Sequence, residues 1–161
     1  MFDHDLRIYA FLQGYVLQIA QDLDEAAMKT PAYPGGNPPT WIIGHLSMVS
    51  DFGLRLLGQE TRLPRTWGVL FGPGSKPMEH LDRHPPKAEL LEAYTQGHAA
   101  LEAAVRAADP EKFSAPNPFQ PLAGVLPTLG TMLAHLLTSH ESFHVSQLSA
   151  CRRAKGLPPL F

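Results

Sequence analysis

Two histidines near the C-terminal end of the chain, His140 and His144, lie four residues apart in a segment with helical apolar periodicity. Because an α-helix turns once in about 3.6 residues, both imidazoles would face the same side of that helix. A third histidine, His45, lies far upstream in the middle of another apolar helical stripe. Three neutral imidazoles that converge between packed helices suit one divalent transition metal, such as zinc, nickel or iron. We therefore predict a metal site formed by His45, His140 and His144.

Ordinary core packing is the alternative for each of these histidines taken alone. A histidine on an apolar helix face is more often a hydrogen-bonded core residue than a metal ligand. Three buried imidazoles are costly unless every ring nitrogen finds a partner, and a metal ion provides such a partner. Magnesium and calcium would require carboxylate oxygens, which these apolar stripes lack.

The segment from His140 to His144 also matches H-E-x-x-H, a helical zinc-protease motif whose glutamate activates the metal-bound water. Such proteases usually take a third ligand downstream, but the residues after His144 include no His, Asp or Glu. The sequence also shows no edge strand along which a peptide substrate could align. Proteolysis is therefore the weaker hypothesis.

Four stretches with apolar residues every three or four positions predict the helices that position these histidines. They cover roughly residues 5–28, 39–58, 87–108 and 128–155. The first helix is expected to bury Ile8, Leu12, Tyr15, Ile19 and Leu23. Segments rich in Gly and Pro separate the helices, and the one at 59–86 is long enough to predict a structured lid or rim. The expected fold is all-α, a single domain over residues 1–161 that forms a four-helix bundle with long Gly/Pro-rich crossover loops.

Composition narrows the classes of function. The 161 residues carry a formal net charge of -2 and show no basic stripe of the kind that nucleic acid requires. No apolar run approaches the roughly 20 residues of a membrane span, and the acidic N-terminus does not resemble a signal peptide. The one cysteine, Cys151, excludes an intramolecular disulfide and is predicted to be a small core residue. We expect a cytoplasmic protein that binds neither nucleic acid nor membrane.

Two polar residues beside the histidine pair are candidates for a part in catalysis. Gln147 shares a helix face with His144 and is predicted to orient a ligand or the substrate, with a hydrogen-bonded core glutamine as the alternative. Glu141 points about 100° away from His140 around the helix. We expect its carboxylate either to accept a hydrogen bond from a metal ligand or to face solvent.

The sequence connects the remaining histidines and both tryptophans less strongly with the metal site. His98 is expected to be a hydrogen-bonded core histidine, with an additional metal ligand or a pocket wall as the alternative, and His135 is expected to fall off the face that carries His140. Three more are predicted to be exposed because they lie in terminal or loop sequence: His4, His80 and His84. Trp41 and Trp67 either line an apolar pocket near the site or belong to ordinary packing.

Three segments, taken in order, resemble the DinB-like metal-binding bundle family. The sequence reads N-P-P-T-W-I-I-G-H-L at 37–46, F-G-P-G-S at 71–75, and H-x3-H-x2-Q at 140–147 followed by R-R-x2-G-L-P at 152–158. The resemblance covers essentially the whole chain. It implies a four-helix fold, a histidine triad at His45, His140 and His144, and homodimers. Ser146 departs from the family, many of whose members have glycine at this position.

The resemblance also implies a type of activity, because characterised branches of the family use low-molecular-weight thiols in S-transfer or isomerisation. Three protein ligands leave an open position on the metal for water or a thiol. A coordinated thiol would lose its proton near neutral pH and attack an electrophilic small molecule held under the lid. We predict a metal-dependent thiol transferase. The alternatives are a hydrolase that uses metal-bound water and a non-catalytic, stress-related bundle that binds a metal or ligand.

Overall fold

The computed structural model of the chain describes residues 2–160 and is all-helical. Its α-helices are α1 (Asp3–Gln21), α2 (Glu25–Met28), α3 (Pro39–Leu56), α4 (Thr66–Phe71), α5 (Lys87–Ala107), α6 (Gln120–Ala123), α7 (Leu129–His135) and α8 (Glu141–Ala154). A π-helix, Leu136–His140, joins α7 directly to α8. Short 3₁₀-helices lie in the loops at Pro77–Glu79, Leu81–Arg83 and Pro110–Ser114. Within residues 2–160 the one β-type pairing is an isolated bridge between Pro116 and Thr128.

Four long helical segments surround the core: α1, α3, α5, and the run formed by α7, the π-helix and α8. α3 packs along α5 and also contacts α8, while α1 packs along α8 and also contacts α5. Two clusters of buried apolar side chains fill the space between them, and burial of this kind is the main stabilising contribution to such a fold. None of the helices in the described part of the chain has the length and apolar character needed to cross a membrane.

The first long helix ends earlier than its apolar periodicity predicts. α1 ends at Gln21, and α2 begins at Glu25 after three intervening residues, the last of which is Asp24. Asp24 has extended backbone angles, and its side chain accepts a hydrogen bond from the backbone N–H of Ala27 at 2.7 Å. An N-cap residue has non-helical geometry, so a continuous helix through residue 28 is excluded.

The predicted buried stripe of α1 is wrong at its first position. Ile8 is 44% exposed, whereas its neighbour Tyr9 is buried. Both residues lie about one turn before the buried Leu12, so periodicity alone does not choose between them. Tyr9 takes the inner position, where its hydroxyl lies 3.0 Å from the hydroxyl of Ser50 on α3.

The long loop between α3 and α5 is tied to α3 near both of its ends. Near its start, the buried Asp51 of α3 accepts hydrogen bonds from the backbone N–H groups of Arg62 and Leu63, at 2.8 and 2.7 Å. At its far end, Nδ1 of His84 lies 2.8 Å from the hydroxyl of Thr40. The prediction that His84 is exposed is therefore wrong, since this contact holds its ring in the interior.

Candidate metal centre

A π-helix immediately precedes the histidine pair on the last long segment. In a π-helix the backbone hydrogen bonds join residues five apart, so such residues share a face. The rings of His135 and His140 accordingly lie 5.6 Å apart between centroids, in an edge-on contact. The prediction that His135 falls off the His140 face is wrong, because it assumed uninterrupted α-helical geometry. Single turns of π-helix occur frequently at functional sites.

The fold brings three histidines from distant parts of the sequence together. One nitrogen from each of His45, His140 and His144 lies within 4.8 Å of the other two. The Nε2 atoms of His45 and His140 are 3.4 Å apart. Two nitrogens bound to one tetrahedral zinc at about 2.1 Å would themselves be about 3.4 Å apart. Within residues 2–160 no other group of three His, Cys, Asp or Glu side chains has an arrangement suited to a metal ion.

Hydrogen bonds fix the orientation of two of the three rings. Nδ1–H of His45 donates to the carbonyl oxygen of Phe71 at 2.8 Å, and Nδ1–H of His144 donates to Oε1 of Gln147 at 3.1 Å. In each neutral ring, Nε2 then carries the lone pair that a metal ion needs. Acceptors of this kind on the second ring nitrogen are typical of metal-binding histidines. Gln147 therefore contacts a candidate ligand, and its role in orienting that ligand stays a prediction.

The third ring, that of His140, lacks a hydrogen-bond partner at one of its nitrogens. Its Nδ1 is buried and has no hydrogen-bond partner in the described part of the chain, while its Nε2 faces the imidazole of His45. Buried polar atoms are nearly always paired, so an unpaired one needs an explanation. Nε2 of His140 is the nitrogen placed to share an ion with His45, while Nδ1 stays without a partner among the described residues.

Burial keeps all three imidazoles neutral. It lowers the pKa of His45, that of His140 to about 3 and that of His144 to about 4. The next largest cause for His140 and His144 is repulsion from the neighbouring histidines when they are charged. Each ring is therefore neutral at neutral pH, with one nitrogen free of a proton, and this is the form that binds a metal ion.

The last residue of α4 and the loop that follows it both contact the site. The carbonyl oxygen of Phe71 accepts the hydrogen bond from His45. The indole of Trp41 stacks on the His45 ring at 4.6 Å between centroids, and its Nε1–H donates to the hydroxyl of Ser75 at 2.7 Å. Trp67 instead packs edge-on against the Phe71 ring at 5.1 Å. Trp41 thus stacks on a candidate ligand while belonging to a buried apolar cluster, which is the packing alternative of the prediction.

Glu141 lies in the core rather than in solvent, so its predicted solvent-facing alternative is wrong. Its side chain is 1% exposed, and its Oε1 accepts hydrogen bonds from Tyr94 at 2.6 Å and from Nε2–H of His98 at 3.0 Å. These two α5 residues compensate for the burial of the carboxylate. A zinc protease uses this glutamate as a general base beside the metal, whereas here its Oε1 is directed to α5. His98 is a hydrogen-bonded core histidine, as predicted.

The other residues that the sequence singled out lie away from the three rings. His4 is exposed, as expected, and His80 is half-buried. Cys151 is buried, as predicted, with its thiol 3.8 Å from the carbonyl oxygen of Asn37. Burial raises the pKa of this thiol, so it is protonated at neutral pH.

A cavity of about 280 Å³ opens on the histidine cluster. His45, His140 and His135 form part of its wall. Most of the remaining wall is apolar and comes from α3, the π-helix and the segment around α6, including Val49, Phe52, Phe119, Leu122 and Leu136. The open side of the cluster therefore faces a small, mainly apolar space of the kind that binds small molecules.

No curated protein matches this chain at a significant level of similarity. A family model, that of the DinB superfamily, matches residues 9–148, a range that contains all three clustered histidines. The match covers most of the chain. This protein therefore belongs to the DinB superfamily.

Proposed function

We propose that the chain binds one divalent transition metal through His45, His140 and His144 and transfers a low-molecular-weight thiol to an electrophilic small molecule. One observation carries this proposal: three neutral imidazole nitrogens lie within 4.8 Å of one another beside a mainly apolar cavity. Three protein ligands are typical of a catalytic metal rather than a closed structural one. Membership of the DinB superfamily and the resemblance to its thiol-using branches support the same activity.

The side chains around the site have distinct parts in this reaction. A bound metal would lower the pKa of a thiol and so supply the nucleophile at neutral pH. Phe71 and Gln147 hold the rings of His45 and His144 by their Nδ1–H groups. Glu141 anchors the first turn of α8 to α5 and so positions the adjacent His140. The sulfur forms a bond to the electrophilic carbon, the leaving group departs with its electron pair, and the thiol proton passes to solvent.

We further infer that the four long helical segments form a four-helix bundle and that two chains form a homodimer. The pairwise packing of α1 with α8 and of α3 with α5 supports the bundle. α1 carries two large apolar side chains on its outer face, Ile8 at 44% and Phe11 at 58% exposure, which would suit a contact between subunits. Sedimentation equilibrium of the purified chain measures the number of subunits directly.

A thiol-transfer assay tests the proposed activity. Protein loaded with zinc, nickel or iron is mixed with cysteine, glutathione or coenzyme A and with chlorodinitrobenzene, and the thioether product is followed by absorbance. We expect catalysis with at least one thiol, reduced by roughly 100-fold or more in His45→Ala and His144→Ala. His4→Ala changes an exposed histidine and is the matched control. Metal-loaded protein that gives no rate above the spontaneous reaction with any thiol would contradict the transferase proposal.

A further inference from the structure

We propose that the cavity beside the histidine cluster binds the electrophilic substrate, and that Arg55 selects a substrate with a small apolar body and an anionic group such as a carboxylate. This inference rests on the proposed function, because it names the class of molecule that the same site accepts. It is carried by the composition of the cavity wall, by the unpaired charge of Arg55, and by the position of that charge along α3.

The wall of the cavity favours an apolar body. Phe52 and Phe119 meet edge-on within it, with ring centroids 5.3 Å apart, and aliphatic side chains line much of the rest. Such walls bind alkyl or aryl groups best, because the favourable free energy of burying apolar surface grows with the area buried. At about 280 Å³ the cavity lies just below the usual range for ligand sites, which begins at roughly 300 Å³. A compact alkyl or aryl molecule fits this space.

Among the described residues that line the cavity, Arg55 is the one with a permanent charge. Its guanidinium lies 5.2 Å from the centroid of the Phe52 ring, and no ion pair joins it to an acidic side chain within residues 2–160. Asp51, one turn earlier on α3, directs its Oδ2 to the backbone N–H groups of the following loop. No carboxylate lines the cavity in the described part of the chain. The positive charge is therefore available to an anionic ligand.

The position of Arg55 sets the expected spacing within the substrate. Arg55 follows His45 by ten residues on the same helix, which places its Cα about 15 Å further along the axis. Long side chains on a helix lean toward its N-terminus, here toward His45, so the guanidinium reaches back over the cavity. An anion held by Arg55 and a reacting carbon beside the histidines would be separated by several bonds of apolar structure.

Calorimetric titration of the full chain with two matched probes tests this selection. Phenylbutyrate and phenylbutanol have the same apolar body, but only the first carries a carboxylate. For zinc-loaded parent protein we expect roughly tenfold tighter binding of phenylbutyrate, as is typical of a hydrogen bond to a charged group. The preference should disappear in Arg55→Gln and persist in Arg7→Gln, which removes an exposed arginine of α1. Arg55 is itself exposed, so its replacement should leave the fold intact.

Repeating the titrations on metal-free protein separates this inference from the proposed function. A preference for the carboxylate that persists without metal and depends on Arg55 supports the inference, whether or not thiol transfer is observed. A preference that appears only in zinc-loaded protein would show that the metal binds the carboxylate, and would overturn the inference. Equal binding of the two probes to the parent, or a preference that survives in Arg55→Gln, would overturn it as well.

Discussion

Nδ1–H of His45 donates a hydrogen bond to the carbonyl oxygen of Phe71 at 2.8 Å, so the residue that ends α4 orients a candidate ligand on α3. The two residues are also linked by packing. The Phe71 ring lies against α3 at Gly44, where a Cβ atom would come within 2.6 Å of the ring. The absence of a side chain at Gly44 is therefore what lets Phe71 approach closely enough to hold His45.

Replacing Gly44 by alanine should disturb both stability and metal binding. A Cβ at 2.6 Å from a buried ring forces Phe71 to move, and overpacking of this kind typically costs about 1–3 kcal/mol. The displaced carbonyl would no longer orient His45, so the affinity for zinc should fall by roughly 10-fold or more. Urea unfolding and competition with a zinc chelator measure the two effects.

Gly14→Ala is the matched control for this substitution. Gly14 also lies inside a helix, α1, but apart from its chain neighbours and its own helix backbone no atom lies within 4 Å of the position that its Cβ would take. We expect this variant to gain about 0.5–1 kcal/mol in the free energy of unfolding and to keep its zinc affinity. If Gly44→Ala behaved in the same way, the Phe71 contact would not control the orientation of His45.

Gln147 should influence metal affinity through His144 rather than through stability. Gln147→Leu removes the acceptor for Nδ1–H of His144, and loss of such a partner typically lowers metal affinity by roughly 10–100-fold. Gln147→Glu keeps an acceptor oxygen and should retain the affinity. Both affinities are measured by chelator competition, with urea unfolding to verify that the fold is unchanged. Equal affinities in the two variants would show that His144 does not depend on this hydrogen bond.

The buried carboxylate of Glu141 should be important for stability. Removing it in Glu141→Ala leaves Tyr94 and His98 without their acceptor in the core, which should cost roughly 2–5 kcal/mol. Glu141→Gln retains a carbonyl oxygen and should cost less. Glu92→Ala, an exposed change on α5, should stay within about 0.5 kcal/mol of the parent. A loss in Glu141→Ala no larger than that in Glu92→Ala, by urea unfolding, would contradict the role assigned to the carboxylate.

The lowered histidine pKa values predict how the stability of metal-free protein depends on pH. The pKa is about 3 for His140 and about 4 for His144, against an ordinary value of 6.5. Below about pH 6.5 the unfolded chain takes up protons that these folded rings do not, so the free energy of unfolding falls as pH decreases toward about 4. Above that range the rings are neutral in both states and contribute no slope.

The double variant His140→Gln, His144→Gln isolates this contribution from that of the carboxylates. Between pH 7 and pH 5, urea unfolding should show a smaller loss of stability for the variant than for the parent. Parallel losses in the two proteins would mean that these rings take up protons equally in the folded and unfolded states.

The sequence predicted the helical class and the members of the histidine cluster because both depend on side-chain type and spacing. Apolar residues at helical spacing mark the long helices, and histidines on two such stripes must face the interior that the stripes share. The π-helix at Leu136–His140 could not be predicted. Its turn contains one residue more than an α-helical turn, and no residue type marks where that happens. That one register change is why His135 joins the wall beside His140.

The hydrogen bonds that hold the clustered histidines and Glu141 could not be predicted from the sequence, for a different reason. The Phe71 acceptor is a backbone carbonyl, which every residue possesses, so no side chain marks it. The burial of Glu141 depends on Tyr94 and His98 of α5, more than forty residues away in the sequence. His84 likewise lies in loop sequence and was predicted to be exposed, because its partner Thr40 on α3 is more than forty residues away.

Elemental analysis of tag-free protein after reconstitution with zinc, nickel or iron tests the metal site most directly. We predict about one bound ion per chain in the parent and in His4→Ala, and none in His45→Ala or His144→Ala, with all four proteins folded by circular dichroism. A folded parent protein that retains no metal, or variants that retain as much as the parent, would contradict a site formed by His45, His140 and His144.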